Sequence, residues 1–426
     1  MLRMPDLKHI RLWLIIPALV WGDFVAHSQV PGCTDPLANN FNPAATLNNG
    51  SCTYNSTSYT PPLKVNPLSD TLVETSGLTV AGNYLWSLND GENSAAIYRI
   101  DTLTKTLLQR VYLAGATNED WEDLSFDGHY FYIGDFGNND NGARTDLKIY
   151  KFPFSAIPNH ATNPFAVIDS SLVEIIHFTY SNQPQPPVPS PDNSTAFDCE
   201  AMIVDSGRIH LFTKNWISLN TVHYIINGIA AGSYVATPQD TLATNYLVTA
   251  AAKAPGRNVV VLMGYQNTGT ANHFMHLLTQ YSGNNFFNGN KRKLNLPSVL
   301  TMGQAEAITF RNESYGYISN EKFVGGSSPF IVTVNQRLRS FNIGNYIPAV
   351  PTTYVFNGSG NWSMSSNWNF FLQPPAATTT GSQILVDPPA GNSCILDIPY
   401  TVKTGSVLQV RPGKTLIVKQ NLILQR

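Results

Sequence analysis

Short apolar runs alternate with turn-forming clusters over most of this chain, and five segments repeat one layout. Each has a short apolar stretch, then a cluster of Gly, Asp, Asn or Ser, then a second stretch rich in β-branched and aromatic residues. This order is typical of a β-hairpin. The five units begin near Glu74, Trp121, Cys199, Leu247 and Ala305.

The spacing of these hairpins predicts the architecture. Equivalent positions recur about every 50 residues, with one interval of about 80, and a four-stranded propeller blade takes roughly 40–50 residues. A hairpin cannot bury both of its faces alone, so repetition indicates a radial array. We therefore predict an all-β protein in which residues 61–350 form a β-propeller of five to seven blades, with six as the central value.

The first 28 residues have the order of a signal peptide. Lys8 and Arg11 precede an apolar stretch at 12–20, and Ala26 and Ser28 offer the small residues of a cleavage site. A membrane anchor is the alternative, but the apolar stretch is short and Pro17 interrupts it. The sequence predicts a secreted or cell-surface protein with no transmembrane helix after cleavage.

The chain has four cysteines. Cys33 and Cys52 bracket one small loop, and in an exported protein they are predicted to form a disulfide bond. Cys199 and Cys394 lie in different predicted domains, so we expect them to be buried free thiols.

Residues 31–52 carry Gly-Cys-Thr-Asp, Asn-Pro-Ala and Gly-Ser-Cys in order. This segment resembles short repeats of secreted bacterial proteins, which are distantly similar to thrombospondin type 3 calcium loops. Asn48 and Asn49 stand where those repeats usually have Asp, and calcium prefers charged carboxylates. We therefore favour a disulfide-stapled loop and linker over 29–60 rather than a calcium loop.

Residues 351–426 differ in pattern from the propeller. Gly-Asn-Trp at 360–362 is followed by alternating apolar and polar residues around Gly405 and Gly413. The segment resembles Gly-Asn-Trp modules of bacterial cell-surface proteins, which implies a short β-solenoid or β-sandwich. Trp362 and Trp368 could stack on sugars, but core anchors are favoured.

Two motifs in the second repeat carry a further resemblance. They are Asp-Trp-Glu-Asp at 120–123 and Tyr-Ile-Gly-Asp-Phe-Gly-Asn-Asn at 132–139. They resemble an uncharacterised family of secreted bacterial propellers, distantly similar to phytase-like and esterase-like propellers. The resemblance implies the fold and no particular reaction.

Charge excludes some partners. Charged residues make up 13% of the chain, the net charge is −2, and no basic run is longer than the three residues at 291–293. The sequence therefore predicts no binding to nucleic acid or to an anionic membrane. It also lacks a Gly-x-Ser-x-Gly elbow, a Walker loop and a His-Glu-x-x-His motif.

An acidic residue recurs where several hairpins begin. Glu122, Glu200 and Glu306 occupy this position, and in a propeller the innermost strands line the central channel. We predict that they converge at one channel mouth as metal ligands, with calcium as the candidate ion. The wider predicted ligand-binding set is Glu74, Glu122, Asp123, Asp135, Glu200, Lys214, Glu306 and Glu321, and Asp120 and Asp198 are close enough in sequence to join it.

A structural role for the glutamates stays open. A Glu at a blade start can accept backbone N–H groups from the next blade and lock the ring. Function is equally open, including whether the protein is an enzyme. A propeller that binds a glycan, peptide or protein at its channel mouth ranks first, and a structural surface component is a further reading. The alternative is a calcium-dependent phytase-like phosphoesterase or esterase, for which Lys214 and Arg144 are the only cations near the acidic motifs.

Overall fold

The fold is a β-propeller, seen in a computed structural model that describes residues 29–102, 106–267, 271–327, 329–349, 353–364, 367–368, 373–374, 376–378 and 380–425. The predicted signal peptide at 1–28 lies outside these residues. In the described ranges no helix is both long enough and apolar enough to span a membrane.

Blades 1 and 2 are antiparallel sheets whose strands follow one another along the chain. Blade 1 contains Thr75–Ala81, Tyr84–Asn89, Ala96–Ile100 and Leu107–Leu113, with Phe165–Ile168 added in parallel at its outer edge. Blade 2 contains Trp121–Phe126, Tyr130–Asp135, Lys148–Pro153 and Glu174–Tyr180.

Blades 3 and 4 repeat this order. Blade 3 contains Cys199–Asp205, Arg208–Thr213, Thr221–Ile226 and Gly232–Leu242, and its outer strand also pairs with the outer strand of blade 2. Blade 4 contains Leu247–Lys253, Val259–Tyr265, Asn272–Thr279 and Asn290–Ser298, with Thr57–Ser58 at its outer edge.

Blade 5 is built from both ends of the propeller. Its first three strands are Gln304–Phe310, Tyr315–Glu321 and Arg337–Asn342, and a hairpin of Phe323–Ser327 and Phe330–Val334 projects between the last two. Its fourth strand is Leu63–Val65, which comes from before blade 1 and pairs with Arg337–Asn342. This strand exchange closes the ring and covers the edge of Arg337–Asn342.

Neighbouring blades pack through five hydrophobic clusters, one at each junction of the ring. Between blades 1 and 2, for example, Trp86 and Phe131 are fully buried, with ring centroids 5.2 Å apart in an edge-to-face arrangement. Such aromatic pairs contribute about 0.5–1.5 kcal/mol beyond the area they bury.

The propeller prediction is confirmed, with five blades rather than the central value of six. The long interval between Glu122 and Glu200 holds no extra blade. It is filled by Phe165–Ile168, which returns to blade 1, by the outer strand of blade 2, and by a loop at 183–191 with no regular structure.

The described residues after 352 form a parallel β-solenoid, the first of the two predicted alternatives. Equivalent strands of successive coils stack in register as three short parallel sheets. The stacks are Thr353–Phe356 with Gln383–Val386 and Val407–Val410, Gly360–Asn361 with Ser393–Leu396 and Thr415–Val418, and Tyr400–Val402 with Leu422–Leu424. Trp362 and Trp368 are buried in its core, as expected.

The N-terminal loop is closed by the predicted Cys33–Cys52 disulfide. Pro31–Gly32 pairs with Leu47–Asn48, and the Asp35 carboxylate accepts hydrogen bonds from the Leu37 amide and the Tyr54 hydroxyl at 2.9 and 2.6 Å. The Asp35 carboxylate therefore stabilises the conformation of this N-terminal loop through internal hydrogen bonds. Cys199 and Cys394 are buried free thiols, as predicted.

The helices are minor connections. One α-helical turn spans Val299–Met302, and 3-10 turns span Asp70–Leu72, Phe154–Ala156, Ser170–Leu172 and Phe286–Asn288.

Candidate functional site: an acidic channel mouth

The inner strand of every blade contains a β-bulge near its start. In blades 2 to 5 one extra residue interrupts the pairing with the second strand, and in blade 1 the Ser76–Gly77 step does so. A bulge leaves its residue outside the hydrogen-bond ladder and re-aims the side chain. The five equivalent bulge residues are Ser76, Glu122, Glu200, Thr249 and Glu306.

The three bulge glutamates lie within a larger group of carboxylates. Seven carboxylates from four blades form three overlapping clusters, and within each cluster one oxygen from every member lies within 4.8 Å of the others. We call these seven residues the acidic mouth. The clusters are Asp90–Asp120–Glu122, Asp90–Glu306–Glu321 and Glu122–Asp198–Glu200.

The residues around the bulges explain how carboxylates come so close together. On the second strand of each blade, one residue pairs with the inner-strand residue that comes just before the bulge. In blades 1, 3 and 5 the residue that follows it along the chain is Asp90, Lys214 and Glu321, so these three residues are equivalent in register. Gly137 lets the backbone pass directly against the cluster, since a Cβ there would overlap the carboxylate oxygens of Asp120 and Glu122.

Lys214 is the principal cation of the acidic mouth. Its ammonium group lies 2.8 Å from Glu200 Oε1, and only 4% of the residue is exposed. It also lies over the rings of Trp216 and Tyr265, at 5.1 and 5.8 Å from their centroids. Among the described residues, the seven carboxylates of the acidic mouth therefore have one buried ammonium, paired with Glu200, and the guanidinium of Arg144 acts on Asp120.

Burial and mutual repulsion alter the acid–base behaviour of these groups. Burial, followed by repulsion from neighbouring carboxylates, raises the pKa of Asp90 and Asp120 to about 7. Burial also raises the pKa values of Glu122, Glu200 and Glu321 well above the ordinary range. The acidic mouth must therefore take up protons or another positive charge.

Asp198 has additional partners that fix its position. Its Oδ1 accepts a hydrogen bond from the Asn138 amide, and its Oδ2 accepts one from the Trp216 indole, both at 2.8 Å. Burial nevertheless raises its pKa. Hydrogen bonds from neutral donors orient this carboxylate and leave the net charge of the acidic mouth unchanged.

The structure brings Glu122, Glu200, Lys214, Glu306 and Glu321 together, and three members of the predicted set lie outside the carboxylate clusters, although Asp135 accepts a hydrogen bond from the Asp120 backbone amide at 3.2 Å. Glu74 is exposed and accepts a hydrogen bond from the Asn93 side chain at 2.6 Å. Asp135 forms ion pairs with Arg144 and Lys148 at 2.8 and 3.1 Å. Asp123 has a third location, described next.

Asp123 performs the blade-locking role that was considered for the glutamates. Its carboxylate accepts hydrogen bonds from the Met202 amide of blade 3 at 2.6 Å and from the Leu124 amide at 2.7 Å. Two bulge hydroxyls also tie blades together, because Ser76 donates to the Glu122 carbonyl and Thr249 to the Ala305 carbonyl. In the described part of the chain, no backbone N–H donates to the side chains of the three bulge glutamates.

Sequence reasoning missed Asp90. The signal was available in the repeat, because Asp90 follows the second strand of blade 1 as Lys214 and Glu321 follow those of blades 3 and 5.

Comparisons with known proteins add little beyond the fold. No family model matches the chain, and no curated protein matches it. Similar solved structures include a PQQ-bound aldose sugar dehydrogenase from Streptomyces coelicolor, with 12% identity, 66% of this chain and 99% of that chain covered, and a TM-score of 0.35. The RRP9 WD40 repeats have 9% identity, the same coverages and a TM-score of 0.31.

These scores are low, so the classification rests on strand order and ring closure within the chain itself. By those criteria the protein is a five-bladed β-propeller with buried carboxylate clusters whose spacing could hold a metal ion.

Proposed function

We propose that this protein binds a divalent cation, with calcium as the first candidate, in its acidic mouth, and that the loaded mouth binds a glycan, peptide or protein ligand. The observation that supports the proposal is the imbalance between seven clustered carboxylates and one buried ammonium. A hard cation with oxygen ligands corrects such an imbalance.

The spacing of the carboxylates fits this ion. Calcium binds oxygen at about 2.3–2.6 Å, so oxygens on opposite sides of one ion are about 5 Å apart. Within each cluster one oxygen from every member lies within 4.8 Å of the others, which is close enough for all three to contact one ion. Asp90 and Glu122 each belong to two of the three clusters, which makes them the central ligand candidates, and Glu122 is the more buried of the two.

The ion pairs of the two cations near the acidic motifs favour ligand binding over hydrolysis as the function. A phosphoesterase needs Lys or Arg groups that are available to hold phosphate. Lys214 is paired with Glu200, and Arg144 is paired with Asp135 and Asp146. The phytase-like or esterase-like alternative therefore ranks second, and assays on phosphate and carboxyl esters with and without calcium test it.

Export remains part of the proposal. The Cys33–Cys52 disulfide fits an oxidising compartment. Recovery of extracellular protein that still begins at Met1 would contradict cleavage near Ser28.

Calcium is expected to raise the melting temperature of the wild-type protein. A ligand that binds only the folded state stabilises it by roughly 2.7 kcal/mol at a hundredfold excess over its dissociation constant. Melting is measured at pH 7.5 with calcium, with magnesium and with chelator, and direct titration calorimetry gives the stoichiometry.

Glu122→Gln is the informative variant because it keeps the side-chain shape and removes one charge from two clusters. Glu200 is less suitable, since its loss would also leave Lys214 unpaired. The matched control is Glu174→Gln, at a half-exposed glutamate on the outer strand of blade 2. The proposal requires that calcium raise the melting temperature of the wild type and of the control, and raise that of Glu122→Gln less. Equal increases in all three proteins, or no increase in the wild type, would refute it.

A further inference from the structure

A two-stranded hairpin projects from blade 5 beside the acidic mouth. Its strands, Phe323–Ser327 and Phe330–Val334, pair only with each other in the described part of the chain. The hairpin begins two residues after Glu321, a member of the acidic mouth, and Val334 is buried at its base. Five residues of strand have a length of roughly 16 Å.

Both faces of this hairpin expose large apolar side chains. Phe330 and Val332 lie on one face, and Ile331 lies on the other face with Val324. Phe330 is 82% exposed, the highest value among the large apolar side chains of the described residues. An isolated two-stranded hairpin is only marginally stable in water unless one of its faces packs against another element. The hairpin therefore offers an apolar surface to a partner.

Two further exposed apolar residues lie on the same side of the propeller. Ile217 is 70% exposed and directly follows Trp216, whose indole donates to Asp198 of the acidic mouth. Leu300 is exposed on the helical turn Val299–Met302, which packs against the second strand of the hairpin. Exposed apolar side chains gathered beside a polar site are typical of an interaction surface. We call these six residues the apolar rim: Ile217, Leu300, Val324, Phe330, Ile331 and Val332.

The loops on this side of the propeller carry an excess of negative charge. They join the second strand of a blade to the third, and the fourth strand to the next blade. In their described part the basic side chains are Arg144, Lys214 and Lys322, and the first two are ion-paired. Outside the acidic mouth their exposed carboxylates include Asp70, Glu74, Glu92, Glu119, Asp140 and Asp192. A partner with positive charge complements this side, and an anionic partner is repelled.

We propose that this side of the propeller binds a cationic peptide segment of a partner protein. Lys or Arg side chains of the segment lie over the acidic mouth, and apolar side chains next to them pack on the apolar rim. The inference deepens the proposed function, because it rests on the acidic mouth as the ligand site and selects a peptide from the ligand classes named there. It does not depend on the divalent cation, since one bound ion leaves the exposed carboxylates of the loops in place.

Other occupants fit this surface less well. Two copies of the chain that meet through this side bring two acidic mouths together, and like charges across an interface are unfavourable. An anionic membrane is repelled for the same reason. A glycan presents mainly hydroxyl groups, whereas five of the six residues of the apolar rim are aliphatic.

A random short-peptide library displayed on phage, screened against the immobilised full chain, tests the inference. We expect the selected peptides to be enriched in Lys or Arg next to Val, Leu, Ile or Phe, and depleted in Asp and Glu. The consensus peptide is then synthesised together with a copy in which each Lys or Arg is replaced by Glu. Fluorescence anisotropy should show one saturable site and at least about tenfold weaker binding of the acidic copy. No enrichment, or equal affinities for the two peptides, would overturn the proposal.

Two substitutions locate the site. Phe330→Ser and Ile217→Ser each remove an exposed apolar side chain and are expected to weaken binding of the consensus peptide about tenfold. Phe165→Ser, on the outer-edge strand of blade 1, and Val235→Ser, on the outer strand of blade 3, are the matched controls at exposed positions and should bind like the wild type. Thermal melting of the four variants confirms that they fold. Unchanged affinity in both rim variants, or equal losses in the controls, would refute the apolar rim as the peptide site.

The same measurements separate this inference from the cation proposal. Binding is measured in calcium and in chelator, and the preference for the basic peptide is expected in both. That preference without any effect of calcium on melting would refute the cation and support the peptide site, whereas a calcium effect without enriched peptides would do the reverse. Light scattering tests the remaining occupant, since a stable dimer that Phe330→Ser dissociates would assign the apolar rim to a second copy and overturn the proposal.

Discussion

Replacing Lys214 with methionine is expected to destabilise the protein by about 3–5 kcal/mol in chelator at pH 8. The ammonium group is buried and lies 2.8 Å from Glu200 within the acidic mouth. Its removal leaves a buried carboxylate without its partner while the surrounding carboxylates still repel one another. Chemical denaturation of wild type and Lys214→Met measures the difference.

Added calcium is expected to recover much of this loss, because a divalent cation supplies the positive charge that the variant lacks. Lys151→Met is the matched control, since Lys151 pairs with the half-exposed Glu174 on the outside of blade 2. Lys151 itself is buried, but water screens its half-exposed partner, so we expect a smaller loss than in Lys214→Met. Similar losses in Lys214→Met and Lys151→Met would show that the ion pair in the acidic mouth has no special electrostatic role.

Three buried histidines are expected to make the fold sensitive to acid. Burial lowers the pKa of His210 and His276 to about 3 and that of His273 to about 4. An unfolded histidine takes up a proton near pH 6.5, so below that pH the unfolded chain binds more protons than the folded one. The stabilisation is complete above pH 6.5 and is lost as the pH falls towards 3–4.

Each of these histidines contributes a slope of up to about 1.4 kcal/mol per pH unit, and the three together about 4. His276→Gln isolates one of them, because glutamine is not protonated in this pH range and its amide can still form a hydrogen bond with the Tyr246 hydroxyl. Denaturation between pH 7 and 5 should give a shallower slope for His276→Gln than for wild type. His177→Gln, at an exposed histidine, is the control and should follow wild type; identical slopes for all three proteins would disprove the prediction.

The sequence was sufficient for the propeller, because its repeat reflects a unit that must pack against copies of itself. It was insufficient for the blade number, because Phe165–Ile168 and the loop at 183–191 lengthen one repeat without adding a blade. Composition cannot distinguish an outer-edge strand from the first strand of a new sheet. The pairing of Phe165–Ile168 with Leu107–Leu113 in the structure identifies this segment as an outer-edge strand of blade 1.

The site was predictable where residues share a register position and unpredictable where the bulge changes the direction of a side chain. Glu122, Glu200 and Glu306 were recognised as equivalent from the repeat. Asp123 is adjacent to Glu122, but it lies beyond the bulge and bonds to the next blade. Glu74 resembles the others in position, yet the equivalent bulge in blade 1 is at Ser76.

The strand exchange in blade 5 has a consequence for how the chain reaches its native state. Blades 1 to 4 take their four main strands from continuous sequence, whereas blade 5 requires Val65 to pair with Leu338. Bringing such distant segments together has an entropic cost that is compensated only when the contacts form. Pairing of Leu63–Val65 with Arg337–Asn342 is therefore the step that we expect to limit the folding rate of the whole ring.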